Sequence, residues 1–339
     1  MLLPVCVVAS GEIPLNEYHT LSLAVSTRRL LLPQSEEEVP EAAAQARYII
    51  GEGSNILPLG DLPPVLSTRY LRGYRVLHET PDAVEVEIAA GENWDAFVRL
   101  SIACGWHGIE NLAAIPGTVG AAVVQNIGAY GIEIAPFLVK VRGWNKTLEA
   151  WQELPADACQ LSYRHSIFQT PEWQDKFVIT RVTLRLQRRY TPVLTYVDVS
   201  RRIDPTRQHD PWHLYETVRA IRAEKLPASG SAGSFFKNPT LSAEEFHHLR
   251  QKAPDIPFYP QPDGRYKVPA AWLIDCAGLK GYRIGGAAVY ERQPLVLVNL
   301  GNATPTDFHR LAQHVQTTVQ AQWGILLEPE VRFLHPEPS

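Results

Sequence analysis

The sequence predicts an α+β protein in two parts, with the change near Pro205. Three observations predict it. The first part holds segments that alternate apolar and charged residues at the period of a strand. It also carries two glycine-rich stretches, the longer of them nearly uncharged. After Pro205, apolar residues recur at helical spacing and alternate with short apolar strands.

Arg47 to Ile50 reads as a short strand entering the turn Gly51-Glu52-Gly53-Ser54-Asn55. Val84, Val86 and Ile88 alternate with Glu85 and Glu87, the pattern of a half-buried strand. A helix follows from Asn93, with Trp94, Phe97, Val98 and Ile102 on one face and Gly105 as its stop. Val178, Val182, Leu184 and Leu186 alternate with Arg181, Thr183 and Arg185, a further strand. Residues 190–205 are polar and interrupted by proline, which predicts a loop. Asp210-Pro211 is a cap with proline at the first helical position, and Leu214, Val218 and Ile221 repeat behind it. Ser242 with Glu245 is a capping-box pattern. Leu295 to Leu300 is an apolar strand. Thr304-Pro305 opens a long helix with Phe308, Leu311, Ala312, Val315 and Val319 inward, and Gly324 ends it.

The 339 residues are 45% apolar and 20% charged, ordinary for a globular chain that buries a sizeable core. The net charge is -4, and the basic pairs Arg188-Arg189 and Arg201-Arg202 are short. They read as solvated faces, so no nucleic-acid partner is expected. Cys6, Cys104, Cys159 and Cys276 are widely spaced, which predicts neither a metal site nor a disulfide framework and fits a reducing cytoplasm. The N-terminus is apolar but lacks a basic start and is broken by Pro4, so neither a signal peptide nor membrane insertion is expected. No heptad or repeat points to assembly, and a monomer is expected.

The glycine-rich stretches carry the first functional signal. In Gly51 to Asn55 glycine permits positive φ, and successive N–H groups in such a turn can hold an anion. The second stretch runs Ile115-Pro116-Gly117-Thr118-Val119-Gly120-Ala121-Ala122 and on through Gln125-Asn126-Ile127-Gly128-Ala129-Tyr130-Gly131. Its length and small side chains suggest a flat or extended ligand against the main chain. Each taken singly also reads as a tight turn with packed glycines. Neither matches the fingerprint G-x-G-x-x-G or a phosphate loop ending in Gly-Lys-Ser/Thr. Together they resemble the FAD domain of the vanillyl-alcohol-oxidase (PCMH) type. Cys104 and His107, the nearest residues for a covalent flavin link, read as packing residues, so non-covalent FAD is expected.

Further motifs narrow the resemblance: Tyr163-Arg164-His165-Ser166, Gly233-Ser234-Phe235-Phe236-Lys237-Asn238-Pro239, Gly285-Gly286-Ala287-Ala288-Val289 and Glu328-Pro329-Glu330-Val331-Arg332. In this order, across roughly Leu15 to Leu334, the chain resembles the UDP-N-acetylenolpyruvoylglucosamine reductase family, in the subtype with a tyrosine on a lid loop. The resemblance implies a two-lobed FAD-binding domain over 13–205, with lobes of about 13–68 and 69–205. It also implies a separate α+β substrate-binding domain over 206–328 and a C-terminal segment, 329–339, returning to the active site. It further implies NADPH as hydride-donating co-substrate, hydride transfer from the flavin to the enolpyruvyl C3, and protonation of C2 to give UDP-N-acetylmuramate for peptidoglycan synthesis.

The resemblance assigns Arg164, Ser234 and Glu330 to catalysis. The residue chemistry agrees: an arginine fork suits a carboxylate that gathers charge, and a carbanion accepts a proton even from a serine hydroxyl. Glu330 either hydrogen-bonds the developing enol or orients Arg164. By itself each has an ordinary reading as a surface ion pair, a turn residue or a solvated strand edge. The mapping gives the cofactor Gly51, Gly53, Ser54, Asn55, Ile115, Pro116, Gly117, Gly120, Ala121, Gln125, Asn126, Gly128, Ala129, Gly131, Ile179 and Arg222. Arg222 equally suits a substrate phosphate or a solvated helix position. Tyr196, Lys225, Asn238 and Gln293 are expected on the substrate. Glu52 stands where many relatives have glycine, so its side chain should point away from a pyrophosphate; the stretch from Pro227 to Ala232 is short. Two alternatives remain: another FAD-dependent oxidoreductase of the same superfamily, and a nucleotide-sugar binding protein without catalysis.

Overall fold

The computed structural model describes residues 7–8, 11–227 and 230–337. Cys6, and residues 228–229 within the short stretch noted above, lie outside the described residues. The chain divides into two compact units. One comprises Met1–Ile13, Thr27–Gly53 and Pro63–Glu224; the other comprises Pro14–Ser26, Ser54–Leu62 and Lys225–Ser339.

The first unit is built on a five-stranded antiparallel sheet in the order Ala150–Pro155, Leu138–Asn145, Phe177–Gln187, Ala83–Ala89, Tyr74–Glu79. The central strand buries Val178, Val182, Leu184 and Leu186. Helix Trp94–Ala103 packs Trp94, Phe97, Val98 and Ile102 into the same core, as its periodicity predicts. Asn93 starts that helix: its Oδ1 accepts from the Ala96 N–H at 3.0 Å. A second, four-stranded sheet, ordered Val7–Val8, Leu30–Leu31, Val65–Ser67, Tyr48–Ile50, accompanies helix Val39–Gln45.

Three sequence expectations need correction here. The change of unit falls near Lys225, not Pro205. Helix Pro211–Lys225 buries Leu214, Tyr215, Val218 and Ile221 in the cluster that holds Val86 and Trp94, so its apolar stripe is spent on the first unit. Residues 190–205 are not all loop, because Val197–Ser200 is a short helix with Val199 buried. Residues 14–26 and 54–62 belong with the C-terminal unit and not with a first lobe.

That last difference has a clear cause. Ile56–Pro58 pairs in parallel with Arg332–Leu334. Asn299 Nδ2 donates to the Leu21 carbonyl at 2.9 Å, and the Ser231 N–H to the Thr20 carbonyl at 3.1 Å. The second unit also contains an antiparallel sheet ordered Ser231–Ser234, Val296–Asn299, Ala287–Val289, Arg283–Ile284. Helices Ala243–Lys252 and Pro305–Trp323 both begin with complete capping boxes, Ser242 with Glu245 and Thr304 with Asp307. The long helix ends on Gly324 at φ 76°.

His19 lies in the segment that docks on this second unit and is only 3% exposed. Burial lowers its pKa from 6.5 to about 4, and an interaction with the Leu23 backbone opposes this only in part. The folded state therefore holds His19 neutral, while the unfolded chain takes up a proton first as pH falls. Stability should be lost between pH 6.5 and about 4, by at most about 3 kcal/mol. Urea unfolding of wild type and His19→Gln at pH 7 and 4.5 measures this. The variant should lose less stability on acidification; equal losses would exclude His19 as the acid-sensitive group.

Candidate active site

The first glycine turn follows strand Tyr48–Ile50 directly. Gly51 is required by close approach: a Cβ there would lie 2.5 Å from Thr118 Oγ1 and 3.3 Å from Ala121 Cβ. Its carbonyl accepts from Ser67 Oγ at 2.7 Å. Gly53 is buried at φ 66°. The Glu52 carboxylate accepts from Asn93 Nδ2, with distances of 3.4 and 3.3 Å to its two oxygens. In the second unit, Asn55 Nδ2 donates to the Glu330 carbonyl at 3.1 Å, so this side chain is engaged with the C-terminal segment.

The second stretch is not one continuous loop. Val119–Val124 is a short helix capped by Thr118, and small residues suit its packing beside Gly51 and Ala90. Around it the backbone is irregular and non-glycine residues adopt positive φ, at 56° for Ala114, 42° for Asn126 and 49° for Tyr130. Each is held by side chains. The Ala114 N–H donates to Asp95 Oδ1 at 2.5 Å, and its carbonyl accepts from Arg222 Nε at 3.1 Å. Asn126 is fully buried; its Nδ2 donates to the Ser162 carbonyl at 2.7 Å and to Glu133 Oε2 at 3.1 Å, and its Oδ1 accepts from the Ala135 N–H at 3.2 Å. Its side chain is thus committed within the protein. Gln125 Oε1 accepts from Gln169 Nε2 at 2.8 Å.

Arg164, itself at φ 52°, donates from Nη2 to the Gly128 carbonyl at 2.7 Å and from Nη1 to the Asn126 carbonyl at 3.4 Å. Arg222 is no solvated helix charge. Burial holds its guanidinium below its ordinary pKa, a hydrogen bond and charge interaction with Tyr130 oppose this, and the nearby Arg164 adds to the depression. Arg164, Arg222 and Tyr130 therefore share one neighbourhood. Tyr196 joins it, its ring edge-on to Tyr130 at 5.2 Å and 88°. Ile115, Ala121 and Ala129 are half-buried, Gly117 and Gly120 buried and Pro116 exposed. Ile179 is a core residue of the central strand, 5% exposed.

In the second unit the segments that carry Ser234 and Glu330 pair through their main chains. Ser234 ends strand Ser231–Ser234 and is exposed, whereas Phe235 and Phe236 behind it are fully buried. The Glu330 N–H donates to the Phe235 carbonyl at 2.8 Å, and Phe236 bridges Pro329. Lys237 closes the arrangement: its N–H donates to the Glu328 carbonyl at 2.9 Å and its Nζ meets Glu328 Oε1 at 2.5 Å. Asn238 Oδ1 accepts from the Ala270 N–H at 2.9 Å, which orients the side-chain amide. Gln293 is half-buried at the turn into strand Val296–Asn299, and Lys225 ends helix Pro211–Lys225.

Comparison with known proteins now decides the family. Residues 225–334 match the family described as UDP-N-acetylenolpyruvoylglucosamine reductase, C-terminal domain, and residues 27–145 match an FAD binding domain. A UDP-N-acetylenolpyruvoylglucosamine reductase of Paraburkholderia xenovorans is 42% identical over 334 residues, covering 94% of this chain and 95% of the relative. The chain belongs to the UDP-N-acetylenolpyruvoylglucosamine reductase family. The Escherichia coli reductase is 40% identical, with 94% of this chain and 95% of the relative covered. In fold, the chain is similar to the crystal structure of the Thermus caldophilus reductase, with a TM-score of 0.67 at 24% identity, covering 96% and 98% of the two chains.

The match to an FAD binding domain covers residues 27–145, which include both glycine-rich stretches. Gly51 there admits the close approach of Thr118 and Ala121, and Glu52, the one acid in the turn, is engaged by Asn93. Sequence reasoning missed Asp95, Asn111 and Tyr130. The polar pair Glu110-Asn111 in the otherwise apolar run from Ile109 to Ala113 was the available signal for the second of these. Gly51→Ala should force Thr118 off its cap and cost about 1–3 kcal/mol. Thermal melting of the flavin-free protein should show that loss, and flavin absorbance per chain should fall. Unchanged melting would show that the close approach does not constrain the turn.

Proposed function

We propose that this chain reduces UDP-N-acetylenolpyruvoylglucosamine to UDP-N-acetylmuramate, with NADPH as the electron source, in peptidoglycan precursor synthesis. The observation that carries the reading is the main-chain bond at 2.8 Å from the Glu330 N–H to the carbonyl of Phe235, the residue after Ser234, within the family's C-terminal domain. Binding alone needs no proton donor beside a carboxyl group. Bound FAD supplies two-electron chemistry that links the nicotinamide to the enolpyruvyl double bond.

The residues divide the remaining work. Arg164 offers a fixed cation to the enolpyruvyl carboxylate, which gathers charge as hydride adds at C3. Ser234 donates the proton to C2 and is restored from solvent. Glu330 holds the enol form by hydrogen bonding or orients Arg164. Lys225 and Asn238 serve the diphosphate, as a point charge and an amide donor, and Gln293 faces the substrate. Tyr196 closes over the diphosphate from its loop and excludes water. The main chain of residues 51–55 and 115–131, with Ile179 and Arg222, holds FAD without a covalent link. Cys104, Cys159 and Cys276 are free thiols, which fits action in the reducing cytoplasm. Among the described residues no helix is long and apolar enough to cross a membrane.

Stopped-flow absorbance separates the two halves of the reaction. Ser234→Ala should leave FAD reduction by NADPH nearly normal and slow reoxidation by the UDP sugar by about 10²–10⁴-fold. Equal losses in both halves would make Ser234 a structural residue. Tyr196→Phe should weaken apparent substrate binding by about 1–3 kcal/mol and spare FAD content and the NADPH half-reaction. Reoxidation unaffected at subsaturating substrate would remove Tyr196 from the substrate site.

A further inference from the structure

Asn111 has no part in the chemistry above, yet it is 2% exposed and makes two strong contacts. Its Nδ2 donates to the Tyr130 carbonyl at 2.9 Å and to the Val193 carbonyl at 2.9 Å. One acceptor lies in the second glycine stretch and the other in the loop that leads to Tyr196. The turn bearing Asn111, Glu110–Leu112, is itself anchored. Glu110 Oε1 pairs with His107 Nδ1 at 2.9 Å, Glu110 Oε2 accepts from the Gly108 N–H at 2.8 Å, and the Leu112 carbonyl accepts from Trp94 Nε1 at 2.9 Å.

The loop meets the glycine stretch at two further points. A Cβ on Gly131, which stands at φ 89°, would lie 2.8 Å from Thr195 Oγ1. The glycine thus leaves room for the loop. Tyr196 follows with its edge-on contact to Tyr130. Val193, Thr195 and Tyr196 therefore rest on Asn111, Gly131 and Tyr130 in turn.

We propose that Asn111 is a positioning residue for substrate reduction, fixing the root of the Tyr196 loop at Val193 so that only the chain beyond it moves on substrate binding. The physical reason is that both carbonyls lie in irregular backbone and need a donor. Without Asn111, the Val193 end of the loop gains freedom that substrate must then remove on binding. The inference rests on the functional reading above, because it assigns Tyr196 to the substrate.

The test uses the complete flavoprotein. Asn111→Ser and the near-isosteric Asn111→Asp, which carries no NH2, should raise the KM for UDP-N-acetylenolpyruvoylglucosamine about tenfold, the scale of one or two lost hydrogen bonds. kcat at saturation and FAD reduction by NADPH should change little. In a Tyr196→Ala background the same substitutions should add less than about twofold, because the loop no longer delivers its side chain. Full additivity, or an unchanged KM, would overturn the proposal. Hydrogen exchange on the wild-type protein tests it without any variant: adding the UDP sugar should increase protection across 194–201 and leave 190–193 unaltered. A rise that includes 190–193 would also overturn it. If substrate fails to reoxidise the NADPH-reduced wild type, the functional reading itself falls. The effect of Asn111→Ser on loop exchange without substrate would still report whether the clasp exists.

Discussion

Donation from side chains to main-chain carbonyls is the interaction on which the first unit's candidate site depends. Backbone polar groups buried away from water need partners, and an irregular chain cannot supply them to itself. From Ala114 to Gly131 the backbone supplies only a six-residue helix and one two-residue strand. Asn111, Arg164 and Arg222 donate to carbonyls of this stretch, among them those of Tyr130, Asn126 and Ala114, the three non-glycine residues at positive φ. Two arginines assigned to chemistry or cofactor by the family pattern thereby also act as scaffold. The same placement sets their electrostatics: Arg222 sits in a buried setting beside a second guanidinium, and the aromatic hydroxyl of Tyr130 offsets part of that cost.

The second unit solves a different problem. The proton-donor role proposed for Ser234 calls for an exposed tip on a rigid base. Ser234 is exposed while the two phenylalanines that follow it are fully buried, and the Phe235 carbonyl is hydrogen-bonded to the Glu330 backbone. Positioning there comes from main-chain pairing rather than from a web of charged groups. The Lys237 to Glu328 ion pair is largely solvent-exposed on its acidic side and adds little by comparison.

Much of this was legible in the sequence. The helices beginning at Asn93, Pro211, Ala243 and Pro305 announced themselves through caps and apolar spacing, signals confined to a few neighbouring residues. The motifs around Arg164, Ser234 and Glu330 were equally local. What escaped was whatever depends on partners far along the chain. The amphipathic helix Pro211–Lys225 shows an apolar face, but nothing in it says which core receives that face. Asn111 looks like any turn asparagine until the carbonyls 19 and 82 positions away are placed beside it. Gly131 reads as a ligand-facing glycine, although its bare α-carbon accommodates Thr195.

The parallel pairing of Ile56–Pro58 with Arg332–Leu334 reaches beyond architecture. A strand made early in synthesis finds its neighbour only when the last part of the chain emerges from the ribosome. Contacts of such separation are slow to form, since the loop they close must first lose its entropy. During translation, strand Ile56–Pro58 therefore waits for this partner while the segments on either side of it in sequence can already fold. This stretch is where a nascent chain is open to mispairing or chaperone capture, and slowing translation late in the message would prolong that interval.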